Sequence, residues 1–180
     1  MNLGPGHIYG QCIISDKYKI CFILIPKNMS STMRNYLKKN LNGYEYNYFN
    51  CSDEQKKYFT FCICREVVKR VHSAINTILH RKKTDITNIQ NKNLRFYVEN
   101  KKDEHLVKQI EFIKNIRIDL IINIESISKY FRIVNKSKKN IEIKFNINDE
   151  TINNVYKDDI EFYERNKAIS EIDLNNFLDI

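Results

Sequence analysis

Residues Ile20–Leu37 read ICFILIPKNMSSTMRNYL, and this stretch decides the fold. Ile20 to Ile25 is a continuous apolar run, the pattern of a strand covered on both faces. Pro26 ends it, because proline cannot donate to a sheet ladder. Lys27 to Ser30 is polar and turn-like apart from Met29. Met33, Tyr36, Leu37 and Leu41 then recur at helical spacing, with Ser30 and Ser31 as candidate N-caps. A helix that begins directly behind a buried strand presents unpaired N–H groups and a positive dipole end. That geometry binds phosphate or sulfate. Lys27 adds a mobile charge, and Ser30, Ser31 and Thr32 add hydroxyl donors. An ordinary capped strand–turn–helix has the same outline. The stretch is not a Walker loop, because the glycines are missing and the lysine precedes the turn.

A second stretch has the same design. Tyr58 to Cys64 is another apolar strand, and it runs straight into Arg65-Glu66-Val67-Val68-Lys69-Arg70-Val71-His72-Ser73. Together the two stretches resemble the sulfotransferase superfamily, particularly its small carbohydrate-type branch. That family has a Pro-Lys-x-x-(Ser/Thr)-(Ser/Thr)-(Ser/Thr) loop for a 5′-phosphosulfate, matched here by Pro26 to Thr32. Its Arg-x-Pro-x-x-Arg-x-x-Ser site for a 3′-phosphate is matched by Arg65 to Ser73, with Val67 in place of proline. Downstream, His105-Leu106-Val107-Lys108-Gln109 resembles its His-x-x-(Pro)-Gln segment, Asp119 to Glu125 its late strand, and Val155 to Tyr163 its Tyr-x-x-Asp helix. The resemblance runs from Tyr18 to Tyr163. In carbohydrate-type relatives the interval between the two phosphate motifs can carry the catalytic histidine; here that interval has none.

The resemblance implies transfer of a sulfuryl group from 3′-phosphoadenosine 5′-phosphosulfate (PAPS) to an acceptor hydroxyl or amine, with a carbohydrate or small molecule as acceptor. It implies that Lys27 and His105 are catalytic, Lys27 on the leaving nucleotide and His105 as base. It implies that Lys27, Asn28, Met29, Ser30, Ser31 and Thr32 hold the 5′-phosphate and that Arg65 and Ser73 hold the 3′-phosphate. No metal is required, and no metal-ligand spacing is visible. Glu66 and Glu125 are alternative carboxylate bases. Arg70 has two readings, a pair with Glu66 one turn back or a contact with the nucleotide. Three other functions stay open: a non-catalytic PAPS-binding relative, a basic nucleic-acid-binding module, and a phosphate-transferring enzyme with an atypical loop.

At 180 residues the chain reads as a single domain, with a core from residue 18 to 165 and a tail from 166 to 180. The net charge of +8 favours anionic partners. Its lysines are scattered rather than gathered into a stripe, so no nucleic-acid partner is expected. Three of the five cysteines, Cys21, Cys62 and Cys64, sit in apolar runs as small hydrophobes, and Cys-x-x-Cys is absent. Free thiols in a reducing compartment follow. The N-terminus lacks signal-peptide patterning and no apolar run is long enough for a bilayer, so a cytoplasmic location is expected.

Three apolar strands alternating with helices indicate an α/β class, P-loop-like and three-layered, with a mainly parallel central sheet flanked by helices. A hairpin is expected from Ile8–Ile14 and Tyr18–Ile25. Helices are expected over Val67–His80, Glu104–Ile116, Ser126–Val134 and from Asn148 to Arg165. Tyr44–Asp53 reads as an exposed strand or a substrate-facing loop. Arg81 to Asn93 reads as a loop, Asn135–Asn140 as a basic turn and Ile141–Phe145 as a short strand.

Overall fold

The computed structural model describes residues 9–82, 98–100, 103–127 and 149–167. The expected turn and strand over 135–145, most of the helix from Ser126, the loop from residue 83 and the tail from residue 168 lie outside them. Five strands form one sheet: β1 Gln11–Ser15, β2 Ile20–Ile23, β3 Tyr44–Asn47, β4 Phe59–Cys64 and β5 Leu120–Asn123. Their spatial order is β3-β1-β2-β4-β5. β1 runs antiparallel to β2 and to β3, whereas β2, β4 and β5 are parallel. The sheet is therefore mixed rather than mainly parallel, for a reason of chain length. Only a tight turn joins β1 to β2, with Lys19 at a left-handed φ of 53°, and strands so joined must be antiparallel. Parallel neighbours need a crossover, and the helices supply it.

The alternation of side chains along the central strands explains their unbroken apolar sequence. Phe22, Leu24, Phe61, Ile63 and Ile122 pack on one face with Met33, Leu37 and Leu41 of the α1 segment, the helix itself spanning Ser30–Asn40. Cys21, Ile23, Ile25 and Cys62 pack on the other with Phe112 and Ile116. α2, Val67–Lys82, buries Val67, Val71, Ala74, Ile75 and Ile78, the stripe expected from its spacing, against Leu106, Ile152 and Tyr156. All five cysteines are buried and free. No helix among the described residues is long and apolar enough to cross a membrane.

Two expected helices are broken, the first where buried polar groups take its backbone. The segment 104–116 forms a 3-10 turn at Glu104–Leu106 and then α3, Gln109–Ile113. The Val107 carbonyl accepts from Arg70 Nη2 at 2.8 Å. The Asp159 carboxylate accepts the Gln109 and Ile110 N–H groups at 2.7 and 3.0 Å, which starts a new helix. The closing segment forms α4, Asp149–Val155, and α5, Lys157–Lys167, which meet at buried Tyr156. Tyr156 Oη donates to the Leu106 carbonyl at 2.5 Å.

Candidate functional site

The loop between β2 and α1 is built on two left-handed residues, Lys27 (φ 70°) and Met29 (φ 57°). Between them Asn28 is buried: its N–H donates to the Ile25 carbonyl at 3.2 Å, and Nδ2 donates to the Ile63 carbonyl at 2.7 Å and to Gln109 Oε1 at 2.6 Å. Asn28 thus holds the loop from within. Met29, not a serine, occupies the N-cap of α1, and no side chain caps the helix. The first intrahelical bond is Met33 N–H to the Met29 carbonyl, at 2.9 Å. The N–H groups of Ser30, Ser31 and Thr32 precede it and have no acceptor one turn back. The expected serine caps are instead the first helical residues, which leaves this helix start open to a ligand's oxygens.

The start of α2 is closed. Glu66 accepts the Val68 N–H at 2.8 Å and the Lys69 N–H at 2.9 Å, so its carboxylate already sits on that helix end. This engages one of the two candidate carboxylate bases. The other, Glu125, lies 3.6 Å from Lys69 Nζ. Arg70 follows neither of its sequence readings. It is fully buried, and Nε donates to the Pro26 carbonyl at 3.2 Å while Nη2 holds Val107. Burial lowers its pKa to about 10, with Asp159 opposing the fall, so it stays cationic at neutral pH.

A cleft of about 370 Å³ lies over the open end of α1. Lys27, Met29, Ser30, Ser31 and Thr32 line it from the loop, Ser73 from α2, and Glu104 and His105 from the 3-10 turn. Seven of the nine residues singled out in the sequence are therefore gathered from three separate segments. Asn28 and Arg65 are not part of the lining. Arg65 stands behind the loop, where Nη1 donates to the Lys27 carbonyl at 3.3 Å. Its backbone N–H donates to Gln109 Oε1 at 3.0 Å, and its carbonyl accepts from Gln109 Nε2 at 2.9 Å. Partial burial lowers its pKa, while Glu125 and Glu66 oppose the fall.

Lys27 Nζ reaches α2 and donates to Thr77 Oγ1, and Thr77 Oγ1 in turn donates to the Ser73 carbonyl at 3.1 Å. His105 is buried, with Nδ1 at 2.5 Å from Asp103 Oδ1, and its backbone N–H donates to the same oxygen at 2.9 Å. With Nδ1 so engaged, Nε2 is the nitrogen left to act as a base. Asp103 and Thr77 were missed in the sequence. The signals were local: Asp103 is the N-cap of the 3-10 turn that carries His105, and Thr77 lies one helical turn beyond Ser73.

A second, shallower groove of about 310 Å³ shares Gln11 and Leu24 with the cleft and continues along β3, past Glu45 and Tyr46. The Tyr44–Asn47 stretch is an edge strand with exposed tyrosines at 44 and 46. The chain matches no family model, no curated protein and no solved structure.

Proposed function

We propose that this chain is a sulfotransferase that moves a sulfuryl group from PAPS to a hydroxyl or amine of an acceptor, a carbohydrate or small molecule. The observation that supports it is the convergence of Lys27, Ser30–Thr32, Ser73 and His105 on one cleft at an uncapped helix start. The donor set suits an anionic nucleotide: three open N–H groups, hydroxyls and an ammonium, with little apolar surface among them. The site lies beyond the carboxyl end of β2, where α/β sheets place their ligands, and a P-loop-like arrangement is part of the proposal.

Bound there, PAPS supplies an activated sulfuryl group and leaves as 3′-phosphoadenosine 5′-phosphate. The Ser30, Ser31 and Thr32 N–H groups and hydroxyls hold the 5′-phosphate. Lys27 neutralises the charge that grows on the leaving oxygen, the kind of preorganised electrostatic help that dominates such transfers. Ser73 approaches the 3′-phosphate from α2. His105 Nε2 accepts the acceptor's proton, while Asp103 keeps the ring oriented through Nδ1. A cytoplasmic setting fits the five buried free thiols.

The test is calorimetric titration with 3′-phosphoadenosine 5′-phosphate, with AMP as control. Tight binding of the first and weak binding of the second is expected. Equal affinity for both would overturn the proposal. Selective binding without transfer to any of a panel of acceptors would instead leave a non-catalytic nucleotide-binding relative.

A further inference from the structure

Lys27 and His105 sit on irregular segments far apart in the sequence, yet the residues beside them are tied to the same buried groups. One guanidinium serves both sides: Arg70 Nε holds the carbonyl of Pro26, just before Lys27, and Nη2 holds the carbonyl of Val107, just beyond His105. One carboxamide, on the helix that follows the His105 turn, ties back to the loop. Gln109 Oε1 accepts from Asn28 Nδ2, just after Lys27, and from the Arg65 N–H. Gln109 is in turn fixed by its own N–H to Asp159. Asn28, Arg70, Gln109 and Asp159 are each at most 1% exposed.

Stability alone does not account for this set. Buried charges and amides add little to stability over well-packed apolar residues of the same volume, because their desolvation offsets their mutual attraction. What they add is geometry, since a planar guanidinium or carboxamide accepts only a narrow range of partner positions. We infer that Gln109, acting with Arg70 and Asn28, is a positioning residue that fixes the Lys27 loop and the His105 turn relative to one another across the cleft. The inference rests on the proposed reading only for the identity of the ligand. None of the three lines the cleft: Arg70 acts through the Pro26 and Val107 carbonyls, Asn28 through the Ile63 carbonyl, and Gln109 through the Asn28 side chain and the Arg65 backbone.

The test compares Gln109→Met, Asn28→Leu and the double variant in the full chain. Amide hydrogen exchange of the ligand-free protein is followed at the hydrogen-bonded N–H groups of Asn28 and Met33 on one side and of His105 and Leu106 on the other, and affinity is titrated with 3′-phosphoadenosine 5′-phosphate. Gln109→Met is expected to speed exchange in both segments together while β2 and β4 stay protected. It is expected to weaken the nucleotide by about tenfold, and the double variant to be no weaker than the weaker single, as for residues acting as one unit. Faster exchange confined to residues 108–113, or losses that add, would overturn the clamp. Absence of nucleotide binding by the wild-type chain sinks the functional proposal, while the exchange measurement still decides the clamp. If Gln109→Met does not fold, Gln109→Glu keeps an acceptor for Asn28 and the Arg65 N–H but sets a second acceptor against the Arg65 carbonyl. The same paired change is then expected, and wild-type exchange would overturn it.

Discussion

Lys27 is held by its left-handed backbone and by its reach to Thr77, so its charge sits at the edge of the cleft rather than in bulk solvent. Lys27→Ala should lower turnover by roughly 10²–10³-fold, the usual cost of removing one preorganised electrostatic group. Nucleotide affinity should fall far less, because the N–H groups of Ser30–Thr32 remain. Turnover assays beside titrations check this, and undiminished turnover would remove Lys27 from the mechanism. At this scale the sequence was informative about residue types and less so about roles. Asn28 and Arg65 looked like ligands because they lie within the motifs. Their side chains turn behind the loop because partners elsewhere in the chain claim them, Gln109 and the Ile63 carbonyl for Asn28 and the Lys27 carbonyl for Arg65.

Among the elements, the contrast between the two helix starts is decisive: α2 carries Glu66 on its first N–H groups, and α1 carries nothing. Ser31→Asp puts a carboxylate at the open end. It should stabilise the fold by about 0.3–1 kcal/mol through the helix dipole. It should also weaken binding of 3′-phosphoadenosine 5′-phosphate by roughly tenfold or more through like-charge repulsion. A thermal melt and a titration on one sample read both, and a gain in both stability and affinity would contradict an anion site here.

The turn between β1 and β2 gives an acid-sensitive joint. Tyr44 Oη and Tyr58 Oη each donate to Asp16 at 2.9 Å, and Gln55 Nε2 donates at 3.3 Å. These bonds, Tyr44 first, hold the Asp16 pKa below its ordinary value. A lowered carboxylate contributes stability above its unfolded pKa and loses it as pH falls through the folded one. Melting temperature should therefore drop in the acid range below the usual carboxylate pKa, and Asp16→Asn should show a smaller drop over that range. An identical acid profile in both proteins would show that the joint carries no stability.

For the molecule as a whole, the strands and the stripe of α2 were legible because apolar periodicity records burial directly. Two features were not legible. The hairpin of β1 and β2 was legible, but the antiparallel pairing of β3 on β1 depends on which strand edges meet, and the break at Val107–Lys108 depends on a guanidinium and a carboxylate that only the folded chain brings there. Every cysteine is buried, and burial pushes the Cys64 thiol up to about 12. Native protein should therefore react with a thiol reagent only as fast as it opens, and all five sulfurs should become reactive in denaturant. Rapid labelling of any one in native buffer would show that its part of the core opens without the rest.

The bond from Asn28 to Gln109 spans 81 residues of chain, and parallel pairing sets Phe61 of β4 beside Leu120 of β5, far along the sequence. Such closures carry a high entropic cost before they return any contact, so a fold of this kind has high contact order and completes late. Partly folded forms then have no finished cleft, and an anion that fits it binds the native state alone. By mass action that ligand acts as a folding aid: at a hundred times its dissociation constant it shifts the unfolding equilibrium by about 2.7 kcal/mol. The melting temperature thus becomes a gauge of occupancy, and a screen of anionic nucleotides for thermal shift would rank ligands before any acceptor is in hand.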